Sequence, residues 1–424
     1  MKRTSFLKPV LLVAFILAFS STAFALDFSF DTVAYGDSVG FAKDAVCGPD
    51  GRIHLSYMNN AGGNDSTSGD VKYAVYDGSI WTVETVIAPG DYLSSNTSIA
   101  LDTGGDPHIL YNYTCGANEH LQDLDHAWWD GSQWQTENIF DGASLDYRPG
   151  HPSLAISNNN VANAVFHVFS DDISASEMFW AKKQLPSGSW ETEKLEGVLG
   201  SHTSMALDNS GYPHVSYRIG CSNTLGLGYS YYDGSFWVYD EIVSGDVRGT
   251  CMAFDPSGNP CISYVDVQNP SVLYYAYKDG SDWEVESVDQ DGKIMCEFTS
   301  LGFASDGTPF IAYVDAELVP KTLKVAQRNS GGGWTVTEVD ETYGLSCQLQ
   351  NVSLVVDNQN NVHAFYNGYN DSEVVAADIN HAVADTGIAV DDVTDDSSGG
   401  GCNSMALVPF SLLLLTPLAL LLKK

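Results

Sequence analysis

The chain has 424 residues, 54 of them acidic and 19 basic, for a formal net charge of −35. Such a surface repels nucleic-acid backbones and anionic lipid headgroups, which excludes DNA or RNA as a partner and favours solubility in an exported protein. Length alone would give two or three domains, a count that an internal repeat overrides.

Residues 1–25 read as a secretory signal peptide. Lys2, Arg3 and Lys8 flank an apolar run from Pro9 to Phe19, and Ala23-Phe24-Ala25 supplies the small-residue exit. The mature chain then opens on Phe28 to Val33, a segment that can be laid over Trp81 to Val86 further on.

From there to about residue 385 one pattern recurs seven times, as four short strand-like runs. Its second run closes on an aromatic: Tyr57, Tyr111, Phe166, Tyr217, Tyr264, Tyr313 and Tyr366, spaced 47 to 55 residues apart. Asp208-Asn-Ser-Gly211, Asp255-Pro-Ser-Gly258 and Asp357-Asn-Gln-Asn360 join the first run to the second, with the residue types that bond their own backbone and accept positive φ. No such turn has the alternating ligand spacing and closing Glu of a calcium loop. Four-stranded repeats near 50 residues predict an all-β, seven-bladed β-propeller over residues 26–385, with four antiparallel strands per blade. Six repeats keep a Trp at the start of the outermost strand (Trp81, Trp134, Trp190, Trp237, Trp283, Trp334), and the seventh has none. Phe28 is expected to fill that place, so that the N-terminal strand completes the last blade and closes the ring.

The third and fourth runs meet at Tyr76-Asp-Gly-Ser-Ile-Trp81, Trp129-Asp-Gly-Ser-Gln-Trp134, Tyr232-Asp-Gly-Ser-Phe-Trp237 and Lys278-Asp-Gly-Ser-Asp-Trp283. This resembles the Asp-box (BNR-type) turn of sialidase-like propellers, although the Asp-to-Trp spacing is one residue shorter and the Gly directly follows the Asp. The resemblance implies a structural role: the Asp caps the turn and the Trp packs between sheets. His54, His108, His214 and His363 share one position in the second run, where other repeats carry Asn163, Cys261 and Phe310. Spread over separate blades they cannot converge on one ion, so a hydrogen-bonded histidine within each blade is expected, and neither metal nor cofactor.

Residues 386–404 form an acidic Gly/Ser linker, and 405–424 carry an uncharged apolar run ending in Lys423-Lys424. This tail resembles bacterial sorting signals built from a Gly/Cys motif, a transmembrane segment and a basic end. The resemblance implies Gly399, Gly400, Gly401 and Cys402 as the processing or attachment motif, a sorting protease as partner, and a domain held at the cell envelope by its membrane segment; the alternative is a plain C-terminal anchor. Eight cysteines include Cys402. Cys221 with Cys251 and Cys296 with Cys347 fall in loops of one face of neighbouring blades and are the candidate disulfides, whereas Cys47 and Cys261 read as buried thiols.

The expected activity is non-catalytic binding of an extracellular glycan or protein through the loop face. The alternatives are a sialidase-like glycoside hydrolase or lyase, and an architectural envelope protein. The sialidase resemblance would require an arginine cluster, a Tyr–Glu nucleophilic pair and an acid/base Asp, and the Arg-Ile-Pro stretch common in that family is absent. Arg148, Arg218 and Arg248 fall on one face of successive blades, with His151, His202 and Glu297 among the entry loops of that face. In so acidic a domain these cations are a candidate carboxylate or sulfate site. The competing reading pairs Arg148 and Arg248 with Asp146 and Asp246 in local salt bridges.

Overall fold

Short apolar runs punctuated by Asp, Asn and Gly are suited to strands, whose backbones must pair with neighbours rather than within themselves. A computed structural model describes residues 25–35, 39–59, 69–87, 93–114, 122–145, 147–169, 176–221, 224–268, 271–290, 298–315, 321–342, 352–369 and 377–390. The expected signal peptide, the sorting motif at Gly399–Cys402, the apolar tail, Glu297, Cys296 and Cys347 lie outside those residues.

The described chain is all-β apart from one short helix, and every strand pairing in it is antiparallel. β1 (Ser29–Ala34) precedes a four-stranded sheet of β2 (Val39–Cys47), β3 (Ile53–Asn59), β4 (Asp70–Tyr76) and β5 (Trp81–Ile87). A second comprises β6 (Leu93–Leu101), β7 (Pro107–Thr114), β8 (Gln122–Trp129) and β9 (Trp134–Phe140). After α1 (Gly142–Leu145) come β10 (Arg148–Ile156), β11 (Val161–Phe169), β12 (Glu177–Gln184), β13 (Glu191–Leu207), β14 (Pro213–Cys221), β15 (Thr224–Tyr232) and β16 (Trp237–Ser244), which form one seven-stranded sheet. It is two four-stranded units sharing a strand: β13 pairs with β12 up to Leu199 and with β14 from Gly200 onward. Two further four-stranded sheets are β17 (Val247–Phe254) to β20 (Asp282–Asp289) through β18 (Pro260–Asp266) and β19 (Val272–Asp279), and β21 (Thr299–Phe303) to β24 (Trp334–Thr342) through β22 (Pro309–Asp315) and β23 (Lys321–Arg328). The last sheet has the order β1, β27 (Ala377–Asp385), β26 (Asn361–Tyr369), β25 (Ser353–Val356).

The N-terminal strand therefore does complete the last sheet, with Ser29 opposite Val383 and Thr32 opposite Asn380. Phe28 packs into the cluster of Phe310, Leu354 and Tyr366, in the place of the missing Trp. A carboxylate three residues on confirms the register. Trp134 Nε1 donates to Glu84 (3.4 Å), Trp190 to Glu137 (2.9 Å) and Trp334 to Glu286 (3.2 Å), and Trp81 donates in the same way to Asp31 (3.3 Å).

Apolar clusters fill the spaces between neighbouring sheets, and one joins the last sheet to the first: Val355, Phe365 and Ile379 pack on Ala45, Leu55 and Tyr57. A polar seam runs beneath them through the first strand of every unit. The Ile99 N–H donates to Asp44 Oδ2 (3.0 Å), Leu154 to Ser98 Oγ (3.0 Å), Met205 to Ser153 Oγ (3.0 Å) and Met252 to Ser204 Oγ (2.9 Å). Leu301 donates to Cys251 Sγ (3.3 Å), Leu354 to Ser300 Oγ (2.8 Å) and Ala45 back to Ser353 Oγ (3.1 Å). Each bond uses a backbone donor left over at the inner edge of a sheet, which would be costly to bury unpaired.

The turns behave as their residues dictate. Asp77, Asp130 and Asp233 each accept two backbone N–H groups of the next turn, at 2.7 to 3.0 Å, and the following Gly78, Gly131 and Gly234 take φ of 93°, 90° and 96°. Cys47 and Cys261 are buried free thiols. Cys251 is disulfide-bonded, to a cysteine whose side chain lies outside the described residues.

Candidate functional site

The first strands of the third, fourth and fifth units carry the same irregularity at one end. Each ladder shifts register there, between Gly150 and Ser153, between Ser201 and Ser204, and between Arg248 and Cys251. The residue at the bulge takes positive φ: His151 at 44°, His202 at 54°, Gly249 at 59°. Glycine adopts that conformation freely, whereas histidine adopts it at a cost. The bulges are held across the units. Thr203 Oγ1 donates to the His151 carbonyl, Thr250 Oγ1 to that of His202 (2.8 Å) and Thr299 Oγ1 to that of Gly249 (2.7 Å).

Turning the backbone this way brings three imidazoles together. His151 stacks on His202, with ring centroids 4.5 Å apart, and on His167, 5.0 Å away. Phe298 closes one side at 6.2 Å from His151 and 6.5 Å from His202. His167 comes from β11, where it lies opposite Gly150; a Cβ there would meet its ring at 2.8 Å, so only glycine leaves it room. His167 is buried, while His151 and His202 are partly exposed. Burial pushes His167 down to about 3 and, together with the neighbouring imidazoles, holds His151 well below the ordinary range. Both are therefore neutral bases at physiological pH. The Nδ1 atoms of His151 and His167 have no hydrogen-bond partner among the described residues.

The arginines stand at the same end. Arg218 lies opposite Ser201 on the neighbouring strand, and Ser201 Oγ is 3.1 Å from His202 Nδ1. Arg248 lies two residues before Thr250, which holds the His202 carbonyl. One carboxylate joins the two guanidiniums: Asp246 Oδ1 accepts from Arg218 at 3.0 Å and Asp246 Oδ2 lies 3.7 Å from Arg248. The local-pairing expectation thus holds for Asp246, which serves two arginines instead of one. Arg148 sits over the Phe169 ring, 4.9 Å from its centroid; Asp146 is outside the described residues. Of the sequence candidates the structure joins His151 with His202 and Arg218 with Arg248. His167 and the bridging role of Asp246 were missed, and only the break in repeat pattern at His167 marked it.

The four second-strand histidines are buried or nearly so, each bonded to a third-strand side chain. His54 and His214 meet Tyr73 and Tyr229 (both 2.5 Å), and His108 and His363 meet His126 (2.9 Å) and His381 (2.8 Å). They belong to the cores of their own sheets.

No family model matches the chain, and no curated protein does. Solved structures match it in fold. Polysaccharide lyase Uly1 is 13% identical, over 84% of this chain and 92% of that one, with a TM-score of 0.54. A PL25 ulvan lyase bound to -[GlcA(1-4)Rha3S]- is 12% identical, over 84% of this chain and 97% of that one, also at 0.54. The intramolecular trans-sialidase from Ruminococcus gnavus, in complex with oseltamivir carboxylate, is 11% identical over 82% and 96%, with a TM-score of 0.45. The neighbours thus include carbohydrate-active enzymes, at identities where the likeness is one of fold.

Proposed function

We propose that the chain is a seven-bladed β-propeller, closed by its N-terminal strand, that takes an acidic polysaccharide at its imidazole–guanidinium end and cleaves it by elimination. The observation that carries this reading is the stack of His151, His167 and His202 beside the Arg218–Asp246–Arg248 bridge. Breaking a chain at a uronate by elimination requires removal of a proton from the carbon next to a carboxylate, whose charge opposes the step. A neutral imidazole can accept that proton, and guanidiniums can offset the carboxylate's charge as it delocalises. His151 and His202, partly exposed, are the proton-transfer candidates, with His167 backing His151. Lyases among the fold neighbours, one of them bound to a glucuronate-containing sulfated sugar, support the choice of substrate class.

The second reading is binding without turnover. It is favoured by Asp246, which already offsets part of the charge of both arginines. Incubating the purified protein with uronate-bearing sulfated polysaccharides separates the two: elimination creates a carbon–carbon double bond conjugated to the carboxylate, which absorbs in the ultraviolet. Absorbance growing with time supports the lyase, binding without absorbance supports the second reading, and neither would overturn both.

Ring closure is supported by the Ala45–Ser353 hydrogen bond and by the apolar cluster between the last and first sheets. We also propose that the protein is exported and held at the envelope through Gly399–Cys402 and the apolar tail, on the sequence alone. A Cys402→Ala variant with altered mass or retention would support sorting; an unchanged one would leave a plain anchor.

A further inference from the structure

Two sheets carry the same side-chain relay; the relay of the second sheet ends on Glu137, which also accepts from Lys183 Nζ, and that of the last sheet has one further carboxylate. In the second sheet His108 Nδ1 lies 2.9 Å from His126 Nε2, and His126 Nδ1 lies 2.9 Å from Glu137 Oε1. In the last sheet His363 Nδ1 lies 2.8 Å from His381 Nε2, and His381 Nδ1 lies 2.8 Å from Asp31 Oδ1. The imidazoles stack alike, 5.1 and 5.0 Å between centroids. Among the described residues only the last sheet has a further contact, His363 Nε2 to Asp357 Oδ2 at 3.2 Å.

Counting protons gives the consequence. An imidazole nitrogen facing another nitrogen or a carboxylate oxygen makes a hydrogen bond only if one proton lies between them. The relay of the second sheet has two such contacts, and two neutral imidazoles supply one N–H to each. The relay of the last sheet has three contacts and the same two rings. We infer that His363 and His381 form a buried proton-binding site, holding one proton more than two neutral imidazoles and so tying the Asp357 turn to β1 across the sheet.

The surroundings favour placing that proton on the rings. Burial raises both Asp31 and Asp357, but the hydrogen bonds they accept and the nearby imidazoles outweigh it, so each stays below the ordinary carboxylate range. Burial pulls His381 down and outweighs the bond to Asp31; the three contacts, with an ionised carboxylate at each end of the relay, are what favour the extra proton. The other titratable groups packed here are Tyr76 on β4, whose ring is 5.5 Å from His381, and Cys47 on β2, which approaches Asn358 in the Asp357 turn. Burial pushes both up, so neither carries charge. Trp81 and Phe365, which stack on His381, do not titrate.

Losing the proton opens one contact, and the structure indicates which. Asp357 keeps the backbone N–H groups of Gln359 (2.9 Å) and Asn361 (2.7 Å) and the Asn361 side chain (2.8 Å), whereas Asp31 keeps only Trp81 at 3.3 Å. His363 therefore leaves Asp357, and the relay reverts to the form seen in the second sheet. The contact to Asp357 is present while the pair holds the extra proton and opens when that proton is lost.

The test is a pH titration of the imidazole nitrogen resonances in the full-length protein. His363 and His381 are expected to carry three nitrogen-bound protons between them at about pH 6, while His108 and His126 carry two. Asp357→Asn presents an amide N–H to His363 Nε2, which completes the relay with two protons. Relative to this variant, the wild-type unfolding equilibrium should grow by up to tenfold per pH unit as the proton leaves. Two protons on the wild-type pair at about pH 6, or the same pH profile in both proteins, would overturn the inference. Should the variant not fold, the wild-type titration decides alone.

Discussion

Replacing Ser353 with Ala tests whether the ring is closed, because Ser353 Oγ accepts from Ala45 N–H in the one seam bond that joins the last sheet to the first. Both residues are buried. Ala45 N–H also donates to Asp44 Oδ1 (3.0 Å), so if the sheets form a closed ring in solution the substitution removes one of two acceptors without stranding the donor, and costs about 0.5–1.5 kcal/mol. Ser204→Ala strands Met252 N–H inside the chain's continuous run, costs about 1–3 kcal/mol and serves as the upper reference. If the two ends instead part in solution, Ala45 N–H is hydrated in the wild type, and Ser353→Ala costs close to nothing. At about 2.1 cal/mol/K of unfolding entropy per residue, either loss lowers the melting midpoint by a few degrees at most, so matched differential scanning runs on the two variants are needed. A drop for Ser204→Ala without one for Ser353→Ala would refute closure. A drop in both, smaller for Ser353→Ala, is the expected result.

Arg218→Ala and Arg248→Ala should each weaken binding of an acidic polysaccharide by roughly 1.5–3 kcal/mol, measured by calorimetry, with Arg148→Ala nearly silent because its guanidinium rests on Phe169. His151→Ala should abolish elimination while leaving such binding largely intact, read as lost ultraviolet product at saturating substrate. Asp44 occupies the seam position that is serine in most units, and burial pushes its carboxyl up to about 6. Folding therefore takes up a proton between the ordinary carboxylate pKa and about 6, which is a penalty above that pH. Asp44→Ser should raise the melting midpoint above about pH 6 and lose that advantage in acid, as pH-dependent melts would record.

The four-stranded units were legible because the sequence repeats their pattern seven times. A single Trp-to-Trp spacing means little, but a vacancy for a seventh Trp, with Phe28 as the only remaining candidate, is enough to assign β1 to the last repeat, where it pairs with β27. The seam was equally present in the sequence, as Ser98, Ser153, Ser204, Ser300 and Ser353 at one repeat position with Cys251 and Asp44 completing the series. It went unread because a serine before an apolar run also looks like a turn residue; its partner lies in the next unit, about fifty residues away, and nothing local signals it. The site follows the opposite rule. The residue after the second-strand aromatic is Met58, Asn112, His167, Arg218, Val265, Val314 and Asn367 in the successive units, so this position varies where its neighbours repeat. A repeat enforces residue types wherever every unit has the same packing to do, and it releases them where a unit faces something other than its neighbours. His151 and His202 depart further, holding a backbone conformation that Gly249 adopts freely in the next unit. Strain retained in two adjacent units, at positions where glycine would relieve it, is the signature of side chains kept for what they do rather than for how they pack.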